Sequence, residues 1–204
     1  AAVWYFASGH EFSIDAILSY TPPDMFLATL FMFLLYAVKS IAFFLPLMAI
    51  QVAVGLYFPT WAALIVNFVG IAIEINIPYF LGRKLGFDSA DKLTKKFPKL
   101  GEMLEGDGSR WYIAYILRAL NMLPFDLVSM YLGSLRYPYL IYFSGSMVGA
   151  AFGVLAATLI GRSLTDPTSP MFIFSCVLSC TIAGASFLMY RRINKKPGAS
   201  PWTR

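Results

Sequence analysis

Charged side chains are scarce in this chain. Asp, Glu, Lys and Arg supply only 13% of its 204 residues, whereas 58% are hydrophobic; an ordinary soluble domain carries about 25% charged residues. Several apolar runs approach or exceed the ~20 residues that a helix needs to cross ~30 Å of hydrocarbon. These runs are 25–38, 41–50, 61–73, 137–160 and 171–190. The composition therefore excludes a soluble globular domain and predicts an all-α integral membrane protein.

Residues suited to catalysis are also scarce. The chain has one histidine, His10, and two cysteines, Cys176 and Cys180, which lie four residues apart on one apolar run. No histidine accompanies a serine within the apolar runs, and the sequence has neither a paired-acid metal motif nor a Cys–His set. Nucleophilic and metal-assisted catalysis both need such groups. We therefore expect no enzymatic activity, no metal site and no cofactor.

The basic residues gather in two places. Seven Lys and Arg residues lie between Arg83 and Arg110, and five follow Tyr190 with no acid among them, whereas residues 1–24 contain none. Loops rich in Lys and Arg stay on the cytoplasmic side of a membrane, so we expect a cytoplasmic loop over 83–109 and a cytoplasmic tail over 193–204. The net charge of +5 follows from this topology and requires no nucleic-acid partner.

Prolines, glycines and arginines recur in one order in two stretches of the chain. The two copies are Pro46, Gly55, Pro59, Gly70, Gly82, Arg83 and Pro124, Gly133, Pro138, Gly149, Gly161, Arg162. The gaps are 9, 4, 11, 12 and 1 in the first copy and 9, 5, 11, 12 and 1 in the second. Pro and Gly are common in membrane helices, but chance does not readily align six positions. Repeated breaks in apolar sequence are typical of transporter folds built from internal repeats.

Counting crossings back from the cytoplasmic tail predicts the architecture. A helix over 170–192 ends inside, so a helix over 138–162 leaves the cytoplasm, and the apolar segment 110–136 begins and ends there. Such a segment forms a re-entrant hairpin. The first copy has the same hairpin-plus-helix arrangement in the opposite membrane orientation, with a hairpin over 45–58 and a helix over 59–82. The predicted fold is an inverted repeat of two units, each a re-entrant hairpin plus a transmembrane helix, with additional N- and C-terminal transmembrane helices.

Two local features complete the predicted fold. The N-terminal part comprises an interfacial segment over 1–23 and a transmembrane helix over 24–44, for which Thr21 is the expected N-cap. A small-residue motif on the helix over 138–162 lets another helix approach closely. Its members are Gly145, Gly149 and Gly153.

Polar side chains inside the apolar zones are the candidates for a transport site. A charge at mid-bilayer costs at least ~2.5–3.5 kcal/mol on insertion scales, so it normally faces a cavity or a partner. The candidates are Lys39, Gln51, Glu74, Arg118, Asn121 and Asp126. Arg118 and Asp126 flank the predicted bend of the second hairpin, where non-helical backbone needs a polar cavity or protein cover. The alternative is that the charged candidates form buried ion pairs that serve assembly alone.

The segments that carry the repeat resemble a known family. Residues 46–86 resemble the hallmark region of the DedA family and the SNARE-associated Golgi protein superfamily, in which a proline-led hairpin ends in glycine and the next helix closes in Tyr-x-x-Gly-Arg-x-x-Gly. The matching positions are Pro46, Gly55, Tyr79, Gly82, Arg83 and Gly86 in the first half and Arg118, Pro124 and Gly133 in the second. The branch that the chain resembles contains yeast Tvp-type proteins and their bacterial relatives. This chain departs from the DedA pattern at Gln51, where an acid is usual, and at Pro124, where a second arginine is usual.

The resemblance implies a lipid transporter, a flippase or scramblase that moves phospholipids, or polyprenyl phosphates in bacteria, between leaflets. A headgroup needs a polar path, and Arg118 offers a planar cation that binds phosphate bidentately, while Asp126 or Glu74 balances the charge and is the candidate proton carrier. The expected partners are phosphate-bearing lipid headgroups and protons; the sequence leaves the oligomeric state open. A secondary transporter of a small ion or solute and a non-transporting membrane scaffold are the alternatives. We expect a bacterial cytoplasmic membrane, with the C-terminus in the cytoplasm.

Overall fold

Helices form every regular element that the structure describes. The computed structural model describes residues 14–42, 46–85, 110–119 and 125–164, together with Val177, Thr181 and Gly184. The helices are α1 (Ile14–Tyr20), α2 (Met25–Lys39), α3 (Leu47–Tyr57), α4 (Thr60–Leu85), α5 (Arg110–Ala119), α6 (Phe125–Ser134) and α7 (Tyr139–Ser163). No strand occurs in these described ranges, and the prediction of an all-α protein is confirmed.

The chain divides into two compact units. The first comprises Ala1–Ile73 and Val154–Leu178, and the second comprises Glu74–Gly153 and Ser179–Arg204. The boundary between Ile73 and Glu74 lies inside α4, and the boundary between Gly153 and Val154 lies inside α7. Each unit therefore contains a part of both long helices.

Two helices, α4 and α7, are long and apolar enough to cross a membrane. They have 26 and 25 residues, or ~39 and ~37 Å at 1.5 Å per residue, which exceeds the ~30 Å of hydrocarbon. Their bounds lie within three residues of the predicted spans 59–82 and 138–162. Large apolar side chains such as Trp61 and Leu140, 70% and 77% exposed, line their outer surfaces, as expected of helices that face lipid.

The helices of the predicted hairpins are about half as long. The helix α3 has 11 residues, and α5 and α6 have 10 each, or ~15–17 Å of helix. The bend between α5 and α6, with Asn121 and Pro124, lies outside the described residues. Most of the predicted basic loop, including Gly86, and the tail also lie outside the described residues. Of the predicted helix over 170–192, only three positions are described.

The start of α2 differs from the prediction. Asp24, and not Thr21, is the N-cap: its carboxylate accepts a hydrogen bond from the backbone N–H of Leu27 at 2.9 Å. Thr21 follows the end of α1, where its hydroxyl donates to the carbonyl of Ile17 at 2.8 Å. An aspartate caps a helix through its acceptor oxygen and also complements the positive end of the helix dipole. The helix α2 is also shorter than the predicted 24–44, because it ends at Lys39.

In the first unit, α1 and α2 pack on α3, and α3 contacts the C-terminal part of α7 through glycines. A Cβ atom on Gly55 would collide with the backbone carbonyl of Thr158. A Cβ atom on Gly161 would collide with the carbonyl oxygen of Val52. The two backbones are therefore in direct contact, which the absence of a side chain at both positions permits.

In the second unit, Gly133 of α6 and Gly82 of α4 make a contact of the same kind. A Cβ atom on Gly133 would collide with the carbonyl oxygen of Tyr79, and one on Gly82 would collide with that of Met130. These two glycines hold α6 against the C-terminal part of α4.

The three glycines of the predicted small-residue motif on α7 differ in how closely other helices approach them. Gly145 and Gly149 lie against the backbone of α5, where an added Cβ would meet Trp111 and Tyr115. Gly153 has nothing within 4 Å of such an atom. Close packing therefore involves only the first two members of the motif.

The helix α6 ends in a Schellman motif that contains an arginine. The N–H of Tyr137 donates to the carbonyl of Leu132 at 3.0 Å, and the N–H of Arg136 donates to that of Gly133 at 2.9 Å. This pattern places Arg136 in the left-handed region, with a φ of 51°, where glycine is the usual residue. A residue with a Cβ pays ~1–2 kcal/mol for that conformation.

Replacing Arg136 by glycine should therefore stabilise the protein by ~1 kcal/mol, because glycine adopts a positive φ without steric strain. For a chain of this size, such a gain corresponds to a rise of roughly 2–4 °C in the unfolding midpoint, measured on purified protein in detergent. Arg136→Ala is the matched control: it also removes the exposed guanidinium but keeps the Cβ, so its midpoint should not rise. An equal rise in both variants would assign the effect to the arginine side chain and not to backbone strain.

Candidate functional site

Arg118 lies in the last turn of α5, and its guanidinium reaches α6 and α7. Nη1 donates to the carbonyl oxygen of Phe125 at 3.0 Å, and Nη2 donates to the hydroxyls of Ser129 and Tyr142, the latter at 3.2 Å. The guanidinium carbon lies 4.6 Å from the centre of the Phe125 ring, within cation–π range. We refer to Arg118, Phe125, Ser129 and Tyr142 as the Arg118 cluster.

Local sequence explains how the three helices bring these side chains together. A cation is favoured in the last turn of a helix, where Arg118 lies. Ser129 bonds back to its own helix by donating to the carbonyl of Phe125 at 2.8 Å, so its lone pairs remain to accept from Arg118. Gly149 allows α7 to approach the Cβ of Arg118 closely, and this contact brings Tyr142 of the same helix to the guanidinium.

The positive charge of Arg118 is enclosed. Only 1% of the residue is exposed, and the acceptors described for it are two hydroxyls and a carbonyl, all uncharged. Its Nε–H makes no hydrogen bond to any residue that the structure describes. A buried charge costs several kcal/mol unless it is well paired. The cluster is therefore an enclosed cation with a hydrogen-bond donor still available, an arrangement that suits an anion.

Tyr142 connects the cluster to α4. Its hydroxyl accepts from Arg118 and donates to the carbonyl of Ile75 at 2.7 Å. Glu74, which is fully buried, directly precedes Ile75 in α4. Tyr142 thus links Arg118 to the turn of α4 that carries Glu74, and both predicted site residues lie in the second unit.

The turn of α4 that carries Glu74 also contains a defect in its backbone hydrogen bonding. Pro78 lies four residues later within the helix, and proline has no N–H to donate to the carbonyl of Glu74. Its ring also crowds that carbonyl. The acid of the candidate site therefore lies on a loosened turn of an otherwise regular helix.

Aromatic rings continue from the cluster towards the C-terminal end of α4. The rings of Tyr142 and Tyr79 stack with their centroids 4.4 Å apart. The hydroxyl of Tyr79 donates to the carbonyl of Tyr137 at 2.5 Å and accepts from Nη1 of Arg83 at 3.3 Å. Two residues of the Tyr-x-x-Gly-Arg motif are therefore linked through ring and hydroxyl contacts to the Arg118 cluster.

The remaining predicted site residues are not members of the Arg118 cluster. Asp126 is buried in the first turn of α6, directly after Phe125, where a helix N-terminus favours negative charge. Lys39 and Gln51 are buried in the first unit. Asn121 lies outside the described residues. Among the residues described, no group of three His, Cys, Asp or Glu side chains could hold a metal ion.

A second polar network, in the first unit, centres on Asn67. Its Oδ1 accepts from the Tyr36 hydroxyl at 2.6 Å, and its Nδ2 donates to the carbonyl of Gln51 at 3.1 Å and to the hydroxyl of Thr158 at 2.7 Å. The amide is neutral and uses both of its donors and its acceptor. This network joins four helices through satisfied hydrogen bonds, which is the property of a structural site.

Ser129 and Tyr142 were not identified from the sequence. Neither carries a charge, and tyrosine is common near membrane interfaces, so neither stands out in apolar sequence. The repeat holds one usable signal for Ser129: it lies five residues after Pro124, as Gln51 lies five residues after Pro46. No comparable signal marks Tyr142.

Comparison with known proteins identifies the family. The VTT domain matches residues 45–163, which include both copies of the repeat and the whole Arg118 cluster. No curated protein and no solved structure matches the chain at a significant level. The VTT match covers more than half of the chain, and the helices α4 and α7 within it are long and apolar enough to span a membrane. The chain is therefore a membrane protein that belongs to the VTT domain family, the family of the DedA and SNARE-associated Golgi proteins.

Proposed function

We propose that this protein is a lipid transporter, a flippase or scramblase that moves phosphate-bearing lipids between the leaflets without covalent chemistry on them. In this proposal Arg118 binds the lipid phosphate inside the membrane. Phospholipids and polyprenyl phosphates are the candidate cargoes, and Glu74 or Asp126 is the candidate proton carrier. The proposed location is a bacterial cytoplasmic membrane.

The enclosed charge of Arg118 is the observation that carries the proposal. Its guanidinium is held by neutral hydroxyl and carbonyl acceptors, and its Nε–H has no hydrogen-bond partner among the described residues. A phosphate in place of the hydroxyls would convert neutral hydrogen bonds into charge-assisted ones, which are roughly twice as strong. An ion pair that served assembly alone would instead place a carboxylate on the guanidinium.

The glycine contacts support the inverted repeat that the proposal uses. Gly55 and Gly133 are equivalent positions of the two copies, and so are Gly82 and Gly161. In the first unit Gly55 contacts Gly161, and in the second unit Gly133 packs against the turn that contains Gly82. In each unit, therefore, the hairpin glycine of one copy packs against the helix that carries the later glycine of the other copy. An inverted repeat predicts the same contact in both units. Such repeats commonly build a transport site near the membrane midplane.

The proposed inverted repeat gives α4 and α7 opposite orientations in the membrane, which a labelling experiment can test. In protein with Cys176 and Cys180 replaced by serine, a single cysteine at Lys84 should react with an impermeant maleimide only from the cytoplasmic side, because basic loops remain there. A single cysteine at Leu164, exposed after the end of α7, should react only from outside. Ser146→Cys, a fully buried position, is the control and should react from neither side. Reaction of Lys84→Cys and Leu164→Cys from the same side would contradict the inverted repeat.

A transporter of a small anion is the second candidate. It is favoured by the 1% exposure of Arg118, because a fully enclosed cation suits an anion without attached tails, whereas a lipid needs an opening towards the bilayer. Inorganic phosphate offers the same oxygen atoms to the guanidinium as a lipid headgroup does.

Reconstituted protein distinguishes these functions. Leaflet exchange of labelled phosphatidylglycerol and of a polyprenyl phosphate should be measured in the same preparation of vesicles as efflux of trapped radiolabelled inorganic phosphate. Exchange of either lipid without phosphate efflux supports the lipid transporter. Efflux without exchange supports the small-anion transporter, and neither activity in folded protein supports the scaffold.

A further inference from the structure

We infer that Arg83, at the C-terminal end of α4, is an outer binding site for the phosphate of a membrane phospholipid, from which the headgroup moves along the Tyr79–Tyr142 stack to Arg118. Only the second step, movement to Arg118, rests on the proposed function. Binding at Arg83 is argued from that residue's own surroundings.

Arg83 is exposed but held in place on one side. Its Nη1 donates to the hydroxyl of Tyr79, and Tyr79 is fully buried and donates in turn to the carbonyl of Tyr137. Holding a long side chain in this way reduces the rotamer entropy that binding would otherwise cost. The guanidinium has five donors in a planar fork, so the exposed side chain keeps donors for a phosphate after its bond to Tyr79. Lys84, also exposed, makes no hydrogen bond to the described residues and lacks this arrangement.

The surface around Arg83 suits a lipid better than a free anion. Apolar side chains on the same part of α4 are turned outwards: Phe80, Leu81 and Leu85 are 47%, 44% and 53% exposed. A cation bordered by exposed apolar groups at the end of a membrane helix can bind a headgroup phosphate while the acyl chains cover the apolar groups. Inorganic phosphate would gain only the contact with the cation.

A chain of ring and hydroxyl contacts links this position to Arg118. The Tyr142 hydroxyl bonds the carbonyl of Ile75, eight residues before Arg83, which corresponds to ~12 Å along the helix. The hydroxyls of Tyr79 and Tyr142 lie within this interval and bond Arg83 and Arg118 respectively. Tyr79 and Tyr142 are fully buried, so the inferred movement requires the two rings to separate, which would free their hydroxyls to bond the headgroup.

Lipid retention tests the Arg83 site without measuring transport. Purified protein is titrated with phosphatidylglycerol, and the bound lipid is counted by native mass spectrometry. Arg83→Gln should weaken retention ~10-fold, as expected for the loss of charge-assisted hydrogen bonds. Tyr79→Phe keeps the ring but removes the hydroxyl that holds Arg83, and it should weaken retention ~3-fold. Lys84→Gln removes one charge at the neighbouring position and should change retention less than ~2-fold.

Leaflet exchange in the same variants separates this inference from the proposed function. Arg118→Ala should lose exchange but keep the phosphatidylglycerol that is bound at Arg83, and Arg83→Gln should need a ~10-fold higher lipid fraction for half-maximal exchange. Retention by Arg83→Gln equal to that of the wild type would overturn the Arg83 site and leave the proposed function intact. Wild-type exchange by Arg118→Ala would exclude Arg118 from the proposed transport step and leave the Arg83 site, and no exchange by the wild type would overturn the proposed function and leave the Arg83 site. Excess inorganic phosphate should not displace the bound lipid, and displacement would overturn the assignment to a lipid.

Discussion

Replacing Arg118 by alanine is expected to lower the rate of lipid exchange at least ~100-fold, since two charge-assisted hydrogen bonds to a phosphate contribute roughly 1.5–3 kcal/mol each. Arg118→Lys keeps the charge but loses the planar fork, and its rate should fall ~10-fold. Both rates are measured for phosphatidylglycerol and for a polyprenyl phosphate in vesicles of matched composition. Arg136→Ala is the control, because it removes an exposed arginine, and its rate should stay within ~2-fold of the wild type.

The Arg118 variants should remain folded, which makes the comparison informative. The hydroxyl of Ser129 still donates to the carbonyl of Phe125, and the hydroxyl of Tyr142 still donates to that of Ile75. Loss of the guanidinium therefore leaves no buried hydroxyl without a bond, and it also removes a costly buried charge. Unfolding midpoints and elution profiles check this expectation. Undiminished exchange by folded Arg118→Ala would exclude the arginine from transport and favour a role in holding α5 against α6 and α7.

The spans and the family were accessible from sequence because they depend on long-range regularities. The spans 59–82 and 138–162, predicted from the apolar runs together with the proline and glycine repeat, match the bounds of α4 and α7 to within three residues, since a helix in lipid has to satisfy its backbone internally over the full thickness. The hairpin prolines and glycines together with the Tyr79–Gly86 motif indicated the family that the VTT match confirms. Apolar sequence placed Arg118, Glu74 and Asp126 within the membrane, and the structure finds all three buried.

Side-chain partners were less accessible, because they depend on where helices meet. The hydrogen bonds described for Arg118 go to a carbonyl and two hydroxyls, and the sequence indicated none of these partners. Tyr142 reaches Arg118 only because Gly149 lets α7 approach α5, and a distance between helices cannot be inferred from either residue alone. Local competition also misled the prediction at α2, where Asp24 and not Thr21 caps the helix.

Substitution of Gly133 by alanine is expected to have the largest effect on stability, a loss of ~3 kcal/mol. The new Cβ would meet the backbone oxygen and carbon of Tyr79 and the backbone nitrogen of Arg83. Backbone atoms within a helix cannot rotate away as a flexible side chain can, so α6 would have to move from α4, and overpacking of this kind costs ~1–3 kcal/mol or more. The unfolding midpoint should fall by roughly 6–12 °C.

Gly153→Ala is the matched control for that loss. It lies within α7 with nothing near its missing Cβ, so alanine should gain the ~0.5–1 kcal/mol by which it exceeds glycine in a helix interior. The midpoint of this variant should stay constant or rise by a few degrees. Gly133→Ala should also slow lipid exchange, because α6 carries Ser129 of the Arg118 cluster. If Gly133→Ala unfolded at the same temperature as Gly153→Ala, the direct backbone contact between α4 and α6 would be ruled out.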